Sequence, residues 1–351
     1  MSHNGRRPTG RHDAPPARIP STGTDQKEKP GMNRNLHALL LGLGLTASGL
    51  AEATATGRIF VTNERDGTVS VIDGKTLTVE ATVQIGNMPR GIGLSPKGDR
   101  VYVALGQDNA IAVLDPQTLT VTGRLSPGDD PEAFAVHPVT GHLYVSNEED
   151  AKATVLDPDT GQVVAEIEVG LEPEGVAISP DGSRAIVTSE STNMLHVISI
   201  PEHELVANIL VGSRPRAATF SADGRYAWAT AEIGGEVKKV DMQTHEILKV
   251  TALGDDEAKP KDVLLSRDGS KLYVAAGRAA EVVVLDPATL RVLHHIPVGK
   301  RVWGLALSRD GSRLFTTDGG SDTVSVIDTA KDEVVATIAV GKAPWGVVID
   351  D

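Results

Sequence analysis

Seven side chains occupy one variable position in a connection that recurs along this 351-residue chain and in its fullest form is Gly-x-x-Pro-x-Gly. They are Arg90, Glu132, Glu174, Arg216, Lys261, Trp303 and Trp345, with Val302 in the proline place before Trp303. Three cations, two carboxylates and two of the three tryptophans of the protein suit a small, planar, anionic ligand. Indole faces would stack on it, and guanidinium and ammonium groups would make charge-assisted hydrogen bonds to its acids. The same set has a second chemical use in opening a lactone or cyclic ester, with Glu132 or Glu174 as base and Arg90 or Arg216 stabilising the oxyanion. A second recurring connection adds Glu64, Glu148, Glu190 and Glu232, giving a mixed rim that equally fits a basic partner protein. The plain structural alternative is that the cations pair with Glu132 and Glu174 while the tryptophans fill space.

Other chemistry is sparse. His294 and His295 are adjacent on an expected strand, so they point to opposite faces and cannot share a metal. His137 and His142 flank a turn away from the ring and lack a third ligand. Gly128-Asp-Asp130 and Asp318-Gly-Gly-Ser-Asp322 do not follow the EF-hand pattern, and no nucleophile-elbow, zincin, P-loop or dinucleotide motif occurs. With no cysteine, the chain has no thiol nucleophile and needs no disulfide. No catalytic residue, metal or cofactor is assigned from these signals.

The elements that position the seven side chains are legible from a repeat. Ile72-Asp73, Leu114-Asp115, Leu156-Asp157, Ile198-Ser199, Val240-Asp241, Leu285-Asp286 and Ile327-Asp328 recur at spacings of 42, 42, 42, 42, 45 and 42 residues. Each unit holds four short apolar or alternating runs separated by turn chemistry, the pattern of antiparallel strands. Ser179-Pro-Asp-Gly182 and its counterparts place glycine where a hairpin needs positive φ. Asp115-Pro-Gln-Thr118, Asp157-Pro-Asp-Thr160 and Asp286-Pro-Ala-Thr289 put aspartate where it can cap a turn. A period of this length predicts an all-β, seven-bladed β-propeller with four antiparallel strands per blade over residues 57–351. Arg58 to Asn63 matches a second strand and Pro344 to Asp350 a first strand, so the two termini should pair and close one blade. Trp303 and Trp345 then fall on neighbouring blades, followed by Arg90. Tyr102, Tyr144, Trp228 and Tyr273 recur at the blade period and belong to the core. The connection from Gly254 to Asp262 carries the extra three residues, and such insertions tend to sit on a working face.

Residues 32–53 have the form of a secretory signal: a basic start at Arg34, an apolar run from Ala38 to Leu50, then small residues. Residues 1–31, with no apolar periodicity, are expected to be a disordered extension or a mis-assigned start. The expected product is periplasmic, soluble and monomeric. The net charge of −13 makes nucleic acid an unfavourable partner, and no segment after residue 53 is long and apolar enough to span a membrane.

The second strands carry Phe60-Val-Thr-Asn63, Tyr102-Val-Ala-Leu105, Tyr144-Val-Ser-Asn147, Ile186-Val-Thr-Ser189, Trp228-Ala-Thr-Ala231, Tyr273-Val-Ala-Ala276 and Phe315-Thr-Thr-Asp318. Through them, and through Thr323 to Asp328 and Val334 to Gly341, the chain resembles the YVTN-repeat β-propellers. Its overall pattern is similar to the subfamily associated with pyrroloquinoline-quinone-dependent catabolism. That resemblance implies a periplasmic, non-catalytic binding or scaffold propeller serving alcohol oxidation, with a dehydrogenase, a cytochrome or the quinone itself as partner. The adjacent-cysteine pair and larger blade number of quinoprotein dehydrogenases are missing. The competing expectation is a lactonase-like hydrolase or lyase using the same channel mouth.

Overall fold

The computed structural model describes residues 55–254 and 258–351. The expected signal and N-terminal extension, and the middle of the Gly254 to Asp262 connection, lie outside the described residues. Among the described residues, twenty-eight strands, numbered in chain order, form seven four-stranded sheets. The first blade joins β28 (Pro344–Asp350) to β1 (Arg58–Asn63), β2 (Thr68–Asp73) and β3 (Thr78–Gln84). β28 pairs antiparallel with β1, placing Arg58 opposite Asp350 and Phe60 opposite Val348, so the termini close the ring as the register predicts. Each of the other six blades runs through four consecutive strands.

The repeat works because the middle strands of each sheet are buried on both faces. In β1, Phe60 packs with Val69, Val71 and Ile85 against Val101, Val103 and Leu114 of the next blade. Its neighbours Ile59 and Val61 point the other way, against Phe315, Val324 and Val326 of the preceding blade. Successive side chains on a strand face opposite sides, so a sheet sandwiched between two others needs apolar residues at both parities. The continuous apolar runs in the sequence express that requirement. Tyr102, Tyr144 and Tyr273 are each 1% exposed and Trp228 is 3% exposed, confirming them as core.

The turns behave as their residues require. Gly182, Gly224, Gly269 and Gly311 have φ of 72°, 68°, 71° and 71°, a region that costs glycine nothing. Asp115 Oδ1 accepts from the backbone N–H groups of Gln117 and Thr118 at 2.8 and 3.0 Å, capping its turn, and Asp157 and Asp286 do the same in theirs.

Candidate functional site at the channel mouth

The inner strands that line the axis are β4 (Pro89–Leu94), β8 (Pro131–Val136), β12 (Pro173–Ile178), β16 (Pro215–Phe220), β20 (Pro260–Leu265), β24 (Val302–Leu307) and β28. Six of the seven begin with proline, which is tolerated at a strand's first residue because no ladder donor is needed there. The residue just before is left-handed in every blade: Met88, Asp130, Glu172, Arg214, Lys259, Arg301 and Ala343 have φ between 44° and 61°. The carbonyl of that residue accepts the N–H of the first residue in the connection between the blade's second and third strands. Ala343 thus receives Glu64, Met88 receives Gly106 and Asp130 receives Glu148, and the same bond recurs in the other four blades. This bond brings the two recurring connections together on one face, as their spacing predicts.

The seven variable residues do converge there. The indoles of Trp303 and Trp345 stack with centroids 5.8 Å apart and planes at 22°. Lys261 Nζ lies 4.2 Å from the Trp303 ring centre, and the guanidinium carbons of Arg216 and Arg301 lie 5.4 and 5.2 Å from it. Among the described residues no cation lies over Trp345, which is half-buried.

The cations are partnered. Arg216 is 2.6 Å from Glu174 and 2.6 Å from Glu232 and also pairs with Glu190, while Lys261 bonds Glu232 at 2.5 Å. Arg90 pairs with Glu132 and lies 3.1 Å from Glu64, 3.6 Å from Asp130 and 3.7 Å from Glu148. Asp130, Glu132 and Glu148 bring oxygens within 4.8 Å of one another, but the Arg90 guanidinium already provides the positive charge between them. Pairing around the ring is therefore the ground state of the mouth, with Glu232 rather than Glu132 or Glu174 as the partner of Lys261.

Sequence reasoning missed several members. Arg214 pairs with Glu190 and approaches Glu232 at 3.6 Å; Arg301 caps Trp303. Both occupy the left-handed position, one residue before the proline place, and aligning that position as well would have exposed them. The glycines opposite are equally specific. A Cβ on Gly319 would lie 2.9 Å from the Trp303 ring, one on Gly106 would lie 2.4 Å from Asp130, and one on Gly277 would lie 2.9 Å from Lys261 Cγ. Where the second connection lacks glutamate, it has the glycine that an inner-strand residue needs for space.

Below the mouth, a cavity of about 200 Å³ follows the axis. Its wall at the residue after the variable one is Gly91, Ala133, Gly175, Ala217, Gly304 and Gly346, with Asp262 in the remaining blade. Asp262 accepts from the N–H of Val263 at 2.8 Å and from that of Leu305, in the next blade, at 2.9 Å. Desolvation in that wall pushes its carboxyl up to about 6 despite the two bonds. Desolvation and the adjacent charge of Glu174 push Glu190 up to about 7, and the same two causes raise Glu148. Burial, with Arg216 nearby, pushes Lys261 down to about 8 despite its bond to Glu232.

With this geometry, comparison with known proteins places the architecture. The family model described as "Lactonase, 7-bladed beta-propeller" matches residues 178–337, less than half of the chain. Among solved structures, the chain is similar to hydrazine synthase of Kuenenia stuttgartiensis, with 24% identity and a TM-score of 0.67 over 74% of this chain and 88% of that one. It is also similar to a functionally unknown protein from Desulfotomaculum acetoxidans, at 18% identity and a TM-score of 0.74 over 83% of this chain and 98% of that one. A putative 6-phosphogluconolactonase from Bacteroides uniformis matches at 18% identity and a TM-score of 0.69, again over 83% and 98%. A search among curated proteins finds no match. At these identities the likeness establishes the fold: this is a seven-bladed β-propeller, and its function has to be argued from the mouth.

Proposed function

We propose that this propeller is a periplasmic binding protein of the YVTN type, associated with pyrroloquinoline-quinone-dependent alcohol oxidation, whose flat ligand seats against the Trp303 and Trp345 pair at the channel mouth. The stacked tryptophan pair carries this reading: it pre-forms an aromatic platform beside a cavity and among groups able to hydrogen-bond a ring's substituents. The partner would be the quinone itself or a dehydrogenase or cytochrome that carries electrons.

The mouth's charge state governs which ligands enter. Among the described residues, Arg90, Arg214, Arg216, Lys261 and Arg301 are five cations facing the seven acids Glu64, Asp130, Glu132, Glu148, Glu174, Glu190 and Glu232. An anionic ligand must therefore replace one carboxylate, and Glu190, raised to about 7, is the one poised to give up its charge. Protonating Glu190 removes a carboxylate shared by Arg214 and Arg216 and lowers the negative charge that an anionic ligand meets. Binding of pyrroloquinoline quinone should accordingly tighten as pH falls through about 7, and Glu190→Gln should remove that pH dependence.

The test is a fluorescence titration with the quinone. Saturable quenching is expected in the wild-type protein and should disappear in Trp303→Ala/Trp345→Ala with little change in thermal midpoint; Trp228 in the core supplies a constant background. Undiminished quenching in the double variant would reject the site.

A second reading, lactone hydrolysis, is supported by the family match over residues 178–337, a stretch holding Glu190, Arg216, Glu232, Lys261 and Trp303. It would use Glu190 as base and Arg216 or Arg214 at the oxyanion, rather than the Glu132 or Glu174 bases proposed from sequence. Proton release from a sugar δ-lactone should then exceed the spontaneous rate and fall about 100-fold or more in Glu190→Gln. A rate equal to the uncatalysed one rules this reading out.

A further inference from the structure

We propose that Lys261 forms a reversible imine with a carbonyl group of the ligand seated at the tryptophan pair, so that the mouth selects aldehydes, ketones and quinones. This rests on the binding reading above and adds the ligand's reactive group to it.

The geometry favours a nucleophile over a mere ion pair. Lys261 is 9% exposed, lines the axial cavity and holds its amine 4.2 Å from the Trp303 ring centre and 2.5 Å from Glu232 Oε1. Lys261, Trp303 and Trp345 line the same cavity, so a ring seated in it against the tryptophan pair meets that amine. Gly277 leaves room for the lysine stem, since a Cβ there would lie 2.9 Å from Lys261 Cγ. Arg216 already satisfies Glu232 at 2.6 Å and is itself shared with Glu174 and Glu190, so the amine is not the only charge holding Glu232 in place.

The charged groups facing the amine come from two blades: Glu232 from the turn that follows β17 (Tyr226–Ala231) and Arg216 from β16 in one, and Glu174 from β12 in the other. Together with burial they leave the ammonium at about 8. At neutral pH the fraction of free amine is thus on the order of a hundredfold above that of an ordinary lysine. Glu232 takes a proton from the ammonium, and the nitrogen lone pair then attacks the carbonyl carbon. One N–H proton passes to the former carbonyl oxygen. The nitrogen expels that hydroxyl, which leaves as water with the proton held by Glu232. The product is a protonated imine, the carboxylate is restored, and no oxidant or reductant is consumed.

Reductive trapping tests the step. The protein is incubated with benzaldehyde, a flat neutral carbonyl probe, and cyanoborohydride at neutral pH, and the modification of each lysine is followed by peptide mass. Lys261 should be alkylated at least tenfold faster than any other lysine side chain. Glu232→Gln should slow it several-fold, and Lys261→Arg, which keeps the charge and the ion pair, should abolish fast trapping while keeping the thermal midpoint. Equal rates across the lysines overturn the proposal. Benzaldehyde quenching of tryptophan fluorescence, read without reductant, separates the two claims. Quenching without selective trapping removes the imine and leaves the binding site, whereas neither signal removes both.

Discussion

Thr188 donates its hydroxyl to the carbonyl of Arg216, in the next blade, at 3.1 Å and accepts the N–H of Gly175 in its own blade at 2.8 Å. The third residue of the YVTN-like tetrapeptide does this repeatedly. Thr62, Ser146, Thr230 and Thr317 donate in the same way to the carbonyls of Arg90, Glu174, Lys261 and Trp345. The hydroxyl thus pins the backbone of the next variable residue and sets where its side chain starts. Two blades have alanine at this position, Ala104 and Ala275, and in the second the carboxylate of Asp262 supplies the interblade bond through Leu305 N–H. Thr188→Val should cost about 1–3 kcal/mol, because it strands a buried N–H and leaves a carbonyl without its donor; chemical denaturation reads that loss, and a change within error removes the interblade role. The pH response of buried acids follows the opposite direction from that of surface carboxylates. Glu190 rises from 4.5 to about 7 and Asp262 from 3.8 to about 6. Their native states bind extra protons, so their contribution to stability is full below the unfolded values and is lost as pH rises to about 7. Replacing both by the amides should flatten the stability profile between about pH 4 and 7, measured by denaturant midpoints across that range. The tetrapeptide was visible in the sequence as a repeat mark, but its hydroxyl gains a role only when the neighbouring blade is in place.

Turns were the most legible elements, since the residues that specify them also make their internal bonds. In the Ser-x-Asp-Gly turns, Asp181, Asp268 and Asp310 each accept from two serine hydroxyls and one backbone N–H, which hold all three carboxyls down at about 2. A folded value below the unfolded one gives stability that is present above about pH 4 and is lost as pH falls toward 2. Acid should therefore loosen this face first: hydrogen exchange of the turn amides Gly182, Gly269 and Gly311 should rise ahead of the core strands between pH 4 and 2. Uniform exchange across the sheets would contradict that order. The strands were legible for a related reason, because a sheet clasped on both faces writes continuous apolar runs. The insertion before Asp262 was legible only as a length difference. What it accompanies, a carboxylate at a wall position that is glycine or alanine in the other six blades, gains its role from residues that meet across blades.

Closure of the ring by β1 and β28 completes the first blade and sets β28 between the inner strands β24 and β4. Without β28 the first blade would lose its inner strand, Thr62 would lose its bond to Gly346, and Trp345 would leave the mouth. Deleting residues 343–351 should therefore abolish cooperative unfolding or cause aggregation, because an unpaired β1 edge is a template for other chains. A soluble truncation with a single sharp transition would show that the closure is dispensable. The sequence by itself determined the blade count, the strand order, the pairing of the termini and the ring order that sets Trp303 beside Trp345, since each follows from periodic local chemistry. The tertiary structure alone decided that Lys261 pairs with Glu232, that Arg214 and Arg301 join the mouth, and that Asp262 lies in the channel wall. These outcomes depend on side chains from different blades meeting at one mouth, where burial and mutual charge set the energies and no local pattern records them.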